Sequence, residues 1–170
     1  MIITNSAPED LDVIQQLFDE AIRYQRTRSA NAWHGMNREL IENEIRERMH
    51  WKIVEEEQIA CLFSATYQDR LVWDERDLEP SIYLHRIVTN PAFRGRGYVR
   101  HIIAWAEDFG RALGKQYIRL DTNRDNERLN AYYRECGFVY CGTKQFDGSE
   151  PGVPLHYLGT GLSLYEKPIA

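Results

Sequence analysis

The order of apolar patterns along this 170-residue chain predicts an α+β (three-layer α/β) fold. The expected core is a mixed, mostly antiparallel sheet of six to seven strands with helices on both faces. Three observations carry this. Runs with strand character and runs with helical apolar spacing follow one another as β-α-α-β-β-β-α-β-α-β-β. A strand–helix–strand unit in the middle requires one parallel pair. The flanking strands come in hairpin-like pairs, hence antiparallel. The length suits one core and is short for two, so a single domain over 1–170 is expected.

Ile2-Ile3-Thr4 reads as a short first strand. Ser6-Ala7-Pro8-Glu9 fits a capping box with an early proline, so a helix is expected to start near Pro8, with Leu11, Ile14, Leu17, Phe18, Ala21 and Ile22 at helical spacing. A polar linker from Arg26 to Gly35 carries Trp33 and His34. A second helix is expected over 37–49, its apolar face made by Leu40, Ile41, Ile45 and Met49. Residues 52–55 and 59–67 read as a hairpin around Glu56-Glu57-Gln58, and 69–80 as an acidic loop. Ser81 to Thr89 is the next strand, rich in β-branched and apolar residues. A helix to Gly114 follows, then a buried strand over 117–121 and a helix over 126–136 ended by Gly137. Residues 138–146 and 162–167 read as closing strands around a Gly/Pro loop.

Composition narrows the function. The net charge of −5 argues against a nucleic-acid-coating protein. The charge is unevenly spread. Residues 86–135 hold nine Arg and one Lys against six carboxylates, a net +4 that leaves −9 for the remainder. A basic middle in an acidic chain suits a small anionic ligand; the alternative is chance clustering on solvated helix faces. No apolar run approaches the ~18 residues of a membrane span, and MIITNSAPED is not a signal peptide. Three unpatterned cysteines (Cys61, Cys136, Cys141) read as thiols in a reducing compartment. The expected setting is cytoplasmic, with no membrane or nucleic-acid partner.

The segment Asn90-Pro91-Ala92-Phe93-Arg94-Gly95-Arg96-Gly97-Tyr98-Val99 joins the fourth strand to the helix that begins at Tyr98. A glycine-rich turn opening a helix presents free backbone N–H groups, and the helix dipole adds partial positive charge. Arg94, Arg96, Arg100 and His101 stand around it. This predicts the binding of a phosphorylated cofactor. Other motifs fail. Gly95-x-Gly97 lacks the third glycine of a dinucleotide fingerprint, and Gly110 to Gln116 has the wrong spacing and a Gln where a phosphate loop needs Ser or Thr. It reads instead as a helix end. No His-Glu-x-x-His occurs and Cys136 and Cys141 lack zinc spacing, so no metal is expected.

A second signal follows the first. Arg94-Gly95-Arg96-Gly97-Tyr98-Val99 and Asn126-Glu127-Arg128-Leu129-Asn130-Ala131-Tyr132-Tyr133-Arg134-Glu135-Cys136-Gly137-Phe138 together resemble the GNAT N-acetyltransferase superfamily. That family carries (Gln/Arg)-x-x-Gly-x-(Gly/Ala) at the head of its cofactor-binding helix. It carries Asn-x-x-(Ala/Leu)-x-x-x-Tyr-x-x-x-Gly-Phe on the following helix. Arg94, Gly97, Asn126, Leu129, Tyr133, Gly137 and Phe138 fall in register, over roughly residues 81–142. Val99 departs from the pattern, standing where the family has a small residue.

The resemblance implies a GNAT-like acyl-CoA N-acyltransferase fold, acetyl-coenzyme A as cofactor, and transfer of its acetyl group to a primary amine by direct attack. The diphosphate would sit on the amides of Gly95, Arg96, Gly97, Tyr98 and Val99. The pantetheine arm would run beside Ile87, Val88 and Thr89, and Asn126 would contact it or cap its helix. Tyr133 would protonate the leaving sulfur; the alternative is a packing role alone. The backbone N–H of Val88 would polarise the acyl carbonyl.

His85 is the candidate base, because an imidazole accepts a proton near neutral pH. The chain is similar here to arylalkylamine acetyltransferases, whose paired histidines fall on Tyr83 and His85. A structural histidine is the equal alternative. Acceptor contacts are expected from Trp33, Tyr67 and Tyr83, with Tyr24, His34, Trp73 and His156 as further candidates. The acidic run 69–79 and Glu55-Glu56-Glu57 would favour a cationic amine. A homodimer is compatible with this reading. The alternative function is a non-catalytic acyl-coenzyme A sensor.

Overall fold

The computed structural model describes residues 1–28, 32–154 and 157–170. Its strands are β1 (Ile2–Asn5), β2 (His50–Glu55), β3 (Gln58–Thr66), β4 (Ser81–Thr89), β5 (Tyr117–Asn123), β6 (Val139–Gln145) and β7 (Gly161–Pro168). Its helices are α1 (Leu11–Arg26), α2 (Arg38–Arg46), α3 (Arg70–Trp73), α4 (Tyr98–Ala112) and α5 (Glu127–Glu135). The seven strands form one mixed sheet in the order β1-β2-β3-β4-β5-β7-β6, as the sequence pattern requires. Two compact units divide the chain: Met1–Ala65 with His85–Val99, and Thr66–Leu84 with Arg100–Ala170. Strand β4 runs from the second into the first. No helix among the described residues is long and apolar enough to cross a membrane.

In the first unit β1 pairs antiparallel with β2, and β2 with β3. The hairpin turn is tighter than expected. Gln58 already belongs to β3, and Glu56 and Glu57 alone make the turn with φ of +52° and +59°. That is the backbone of a two-residue type I′ turn, which ordinarily takes Asn or Gly. The core gathers Ile14, Leu17 and Phe18 of α1, Ile41 and Ile45 of α2, Leu62 of β3 and Val88 of β4. Each such side chain contributes roughly 1.5–3 kcal/mol by leaving water.

The expected capping box is built from different residues. Ala7 is the N-cap of a short 3-10 turn over Pro8–Asp10, and its N–H donates to the Asp10 carboxylate at 2.7 Å. Ser6 is free for another task, because its hydroxyl meets Nδ1 of buried His50 at 2.8 Å. Helix α2 is shorter than the 37–49 expected, capped by Asn37, whose Oδ1 accepts from Leu40 N–H at 3.1 Å. Arg48, at φ +59°, turns the chain out of the helix before His50 opens β2.

In the second unit β4 begins parallel to β5, from Ser81↔Tyr117 to Tyr83↔Arg119. Strand β5 pairs antiparallel with β7, and β7 with β6. The stretch 69–80 is not the plain loop expected: it winds into α3 and a 3-10 turn over Asp74–Leu78. The reason is long-range, since its groups are bound by a buried arginine described below. Val72, Trp73, Tyr83, Phe146, Leu162 and Leu164 form the core beside it. Helix α4 ends at Ala112 and Gly114, φ +68°, turns the chain out of it, so the phosphate-loop look-alike is a helix end.

Candidate active site

The first unit supplies a glycine turn. Asn90 fixes its entry: its Nδ2 donates to Ile59 O at 2.8 Å, its backbone N–H donates to Ala60 O at 2.9 Å, and its Oδ1 accepts from Ala92 N–H at 3.1 Å. Phe93 and Tyr98 are both 3% exposed and pin the two ends, while residues 94–97 stand in solvent. Gly95 and Gly97 have φ of +82° and +71°, backbone that only glycine takes without strain. A Cβ at either position would meet nothing within 4 Å, so the turn faces open space. Helix α4 starts at Tyr98 with no carboxylate in its first turn. Its free amides therefore meet an anion without a resident competitor on the same turn.

The arginines around this turn are already engaged. The Arg96 guanidinium donates to both Glu55 and Glu56 of the hairpin tip, each at 3.0 Å. Tyr98 donates its hydroxyl to Glu55 as well. The Tyr98 phenol is pushed up to about 12, first by burial and then by Glu55. Glu55 is held below the usual carboxylate range, chiefly by that hydroxyl. Glu55 and Glu56, expected with Glu57 to favour a cationic acceptor, steady the turn through Arg96. The Arg94 guanidinium stacks over the Tyr24 ring, 4.3 Å from its centroid.

On β4, Arg86 has φ +49°, a left-handed conformation unusual for a long side chain inside a strand. A buried ionic group holds it. Arg86 pairs with Glu44 of α2 and donates to Ser64 of β3 at 3.1 Å, and Ser64 donates to Glu44 at 2.5 Å. His85 precedes this kink and is half-buried. Ile87 and Thr89 are half-buried, and Val88 points into the α1–α2 core. Trp33, an expected acceptor contact, packs on Phe18 with centroids 5.9 Å apart and belongs largely to that core. His34 is exposed.

The second unit supplies the tyrosine of the second motif. Asn126 is the N-cap of α5, its Oδ1 accepting from Leu129 N–H at 3.0 Å. At the other end Gly137 N–H donates to Arg134 O at 3.0 Å and Phe138 N–H to Tyr133 O at 3.1 Å. This paired cap needs the left-handed Gly137, at φ +91°, and seats Phe138 against Tyr133, centroids 6.0 Å apart. The Tyr-x-x-x-Gly-Phe spacing thus fixes the Tyr133 ring, which is 7% exposed and also packs on Tyr165 at 6.1 Å. Asn130, whose role nothing in the local sequence signals, locks the other side of the helix. Its Nδ2 donates to Asn123 O and Asn126 O, and its Oδ1 accepts from Tyr165 at 2.7 Å. The Arg100 guanidinium lies 5.7 Å from the Tyr132 centroid.

The same unit brings two carboxylates together. One oxygen of Asp69 and one of Asp121 lie within 4.8 Å of each other, and the Tyr157 hydroxyl donates to Asp121 at 3.4 Å. Tyr157 stacks on Phe146 at 5.7 Å. Asp69 and Tyr157 carried no motif and could not be paired with Asp121 from spacing alone. Tyr83, by contrast, is 1% exposed. Its hydroxyl accepts from Arg119 at 3.2 Å and binds Asp77; burial first, and Asp77 second, push the phenol up to about 12. Expected as an acceptor contact, Tyr83 is instead a buried structural link. Tyr67 packs beneath the Lys115 ammonium, 5.0 Å from its ring centroid. Trp73 is buried in the core, and His156 lies outside the described residues.

Comparison with known proteins points to the same family. The acetyltransferase (GNAT) family model matches residues 14–138. The uncharacterised N-acetyltransferase YesJ of Bacillus subtilis (strain 168) is 28% identical over 169 residues, covering 95% of this chain and 86% of that protein. A crystal structure of a GNAT-family acetyltransferase from Listeria monocytogenes superposes with a TM-score of 0.78 at 25% identity, over 98% of this chain and 94% of that one. The yncA structure from Salmonella typhimurium, which carries acetyl-CoA as its cofactor, shares the fold with a TM-score of 0.69 at 14% identity, over 100% and 94% of the two chains.

Proposed function

This chain belongs to the GNAT acetyltransferase family, and from that premise we propose that it transfers the acetyl group of acetyl-coenzyme A to a primary amine on a small cationic acceptor. The observation that carries the reading is the exposed Gly95–Gly97 turn at the head of α4. Its open face and unopposed helix amides fit a diphosphate. The amides of Gly95, Arg96, Gly97, Tyr98 and Val99 hold that group. Residues Ile87, Val88 and Thr89 offer backbone to the pantetheine arm, as an added strand would use it. Asn126, which caps α5, is the further residue assigned to cofactor binding.

Bound there, acetyl-coenzyme A supplies an acyl group activated as a thioester. The residues of the chain then move two protons and orient one carbonyl. His85 accepts the proton of the incoming ammonium. The N–H of Val88 polarises the acyl oxygen. The phenol of Tyr133 gives its proton to the departing sulfur and is restored, by way of solvent, by the second proton the nitrogen sheds as the amide forms. The Asp69–Asp121 pair attracts the acceptor's positive charge, and Tyr157, backed by buried Phe146, stands beside Asp121.

Calorimetry with coenzyme A, run beside a thiol-release assay, tests this. The assay panel holds polyamines, aminoglycosides, arylalkylamines, amino acids and peptides. Heat of binding with turnover of at least one cationic amine is expected. Absence of binding by folded protein overturns the cofactor assignment. Binding without turnover on any amine leaves the sensor reading in its place.

A further inference from the structure

The most deeply buried cation of the second unit, Arg119 on β5, has no part in the motifs. Its side chain is 0% exposed. The guanidinium is nonetheless saturated. Nε donates to Glu166 at 2.7 Å, Nη1 to Arg76 O at 2.6 Å and to the Tyr83 hydroxyl at 3.2 Å, and Nη2 to Glu79. Its face lies 4.8 Å from the Trp73 ring centroid. Four of these partners, Trp73, Arg76, Glu79 and Tyr83, lie within eleven consecutive residues, 73–83. A buried charge is tolerable only when such partners are complete, so the arginine dictates the path of that segment.

The chain of contacts continues. Tyr83, held by Arg119, binds Asp77 through its hydroxyl. Asp77 accepts the backbone N–H of Asp69 at 2.7 Å. Asp69 is the residue whose carboxylate stands by Asp121.

We propose that Arg119 is a positioning residue for acceptor recognition. Through Tyr83 and Asp77 it pins the Asp69–Leu78 segment and so sets the Asp69 carboxylate against that of Asp121. The proposal rests on the reading of that pair as the acceptor's cation site. It assigns a specificity role to a side chain that never touches substrate. Removing any link lets the segment loosen and leaves the cofactor turn, in the other unit, unaltered.

The test uses the full-length enzyme with four variants. Tyr83→Phe removes the bridging hydroxyl but keeps the ring. Arg119→Lys keeps the charge but not the fork. Asp77→Ala breaks the last link, and Asp77→Asn keeps one acceptor oxygen, for the Asp69 N–H. Hydrogen exchange across 69–78 reads the anchoring directly. The KM for the panel amine acetylated fastest reads its consequence, and the coenzyme A dissociation constant serves as reference. Expected is exchange at least tenfold faster in Tyr83→Phe and Asp77→Ala, and no faster in Asp77→Asn than in Asp77→Ala. The amine KM should rise about tenfold in the same two variants, with coenzyme A affinity within twofold. Unchanged exchange in folded Tyr83→Phe and Asp77→Ala overturns the proposal, as does faster exchange with the amine KM unmoved. Should Arg119→Lys fail to fold, the Tyr83 and Asp77 variants decide. Asp121→Asn separates the underlying reading: an unchanged amine KM there removes the cation site, while the exchange result still judges the anchoring.

Discussion

The Ser6 hydroxyl and Nδ1 of His50 lie 2.8 Å apart, 44 residues distant in sequence, with His50 only 1% exposed. The imidazole is held neutral there. Burial is the larger cause and the Arg86 charge the second, against a smaller opposing pull from Asp10, and together they bring it from 6.5 to about 4. The unfolded chain therefore binds a proton between those values that the folded chain refuses. The associated stability is complete above about pH 6.5, is lost as pH falls toward 4, and changes no further below that. A shift of this size amounts to roughly 3 kcal/mol. Urea unfolding at pH 7.5 and 4.5 measures it: His50→Gln is expected to lose roughly 2–3 kcal/mol less than wild type over that interval. Equal losses would clear the imidazole.

Gly97→Ala places a Cβ on backbone at φ +71°, where space is open but the conformation is strained. Such strain costs about 1–2 kcal/mol. The turn relieves it by shifting its amides, so coenzyme A should bind at least tenfold more weakly by calorimetry, with the melting temperature little changed. Wild-type affinity would place the diphosphate elsewhere.

Arg86→Met removes the cation facing Glu44, which is 7% exposed, and leaves a buried carboxylate with Ser64 alone. A loss of about 3–5 kcal/mol is expected in urea unfolding. The double variant Glu44→Met, Arg86→Met should recover much of it, since neither charge then remains to be compensated. A double variant no better than the single one would show that β4's kink depends on the ion pair itself.

Tyr133→Phe keeps the ring contacts to Phe138 and Tyr165 and deletes only the hydroxyl. Loss of a general acid should lower kcat by roughly 100-fold. Coenzyme A affinity should hold. A normal kcat would reduce Tyr133 to packing.

What could be read from the sequence was what is specified locally. The bounds of β4, the start of α4 at Tyr98 and the close of α5 at Gly137 follow from apolar period, glycine position and cap chemistry within a few residues. The glycine turn and the Tyr133 spacing were legible for the same reason. The rest depends on distant partners. Ser6 was expected to cap a helix, but His50 claims it. The segment 69–80 looked like loop because nothing nearby announces Arg119. The Asp69–Asp121 pairing joins residues with no shared motif. Arg86's left-handed backbone is set by Glu44 and Ser64, both far along the chain.

The two glutamates gripping Arg96 bear on how the enzyme would behave in different surroundings. With that cation already neutralised, the approach to the turn is governed less by mobile side-chain charge than by peptide dipoles fixed at contact range. Dissolved ions weaken long-range attraction far more than they weaken direct hydrogen bonds. Affinity for a diphosphate built this way should vary little between dilute buffer and concentrated salt.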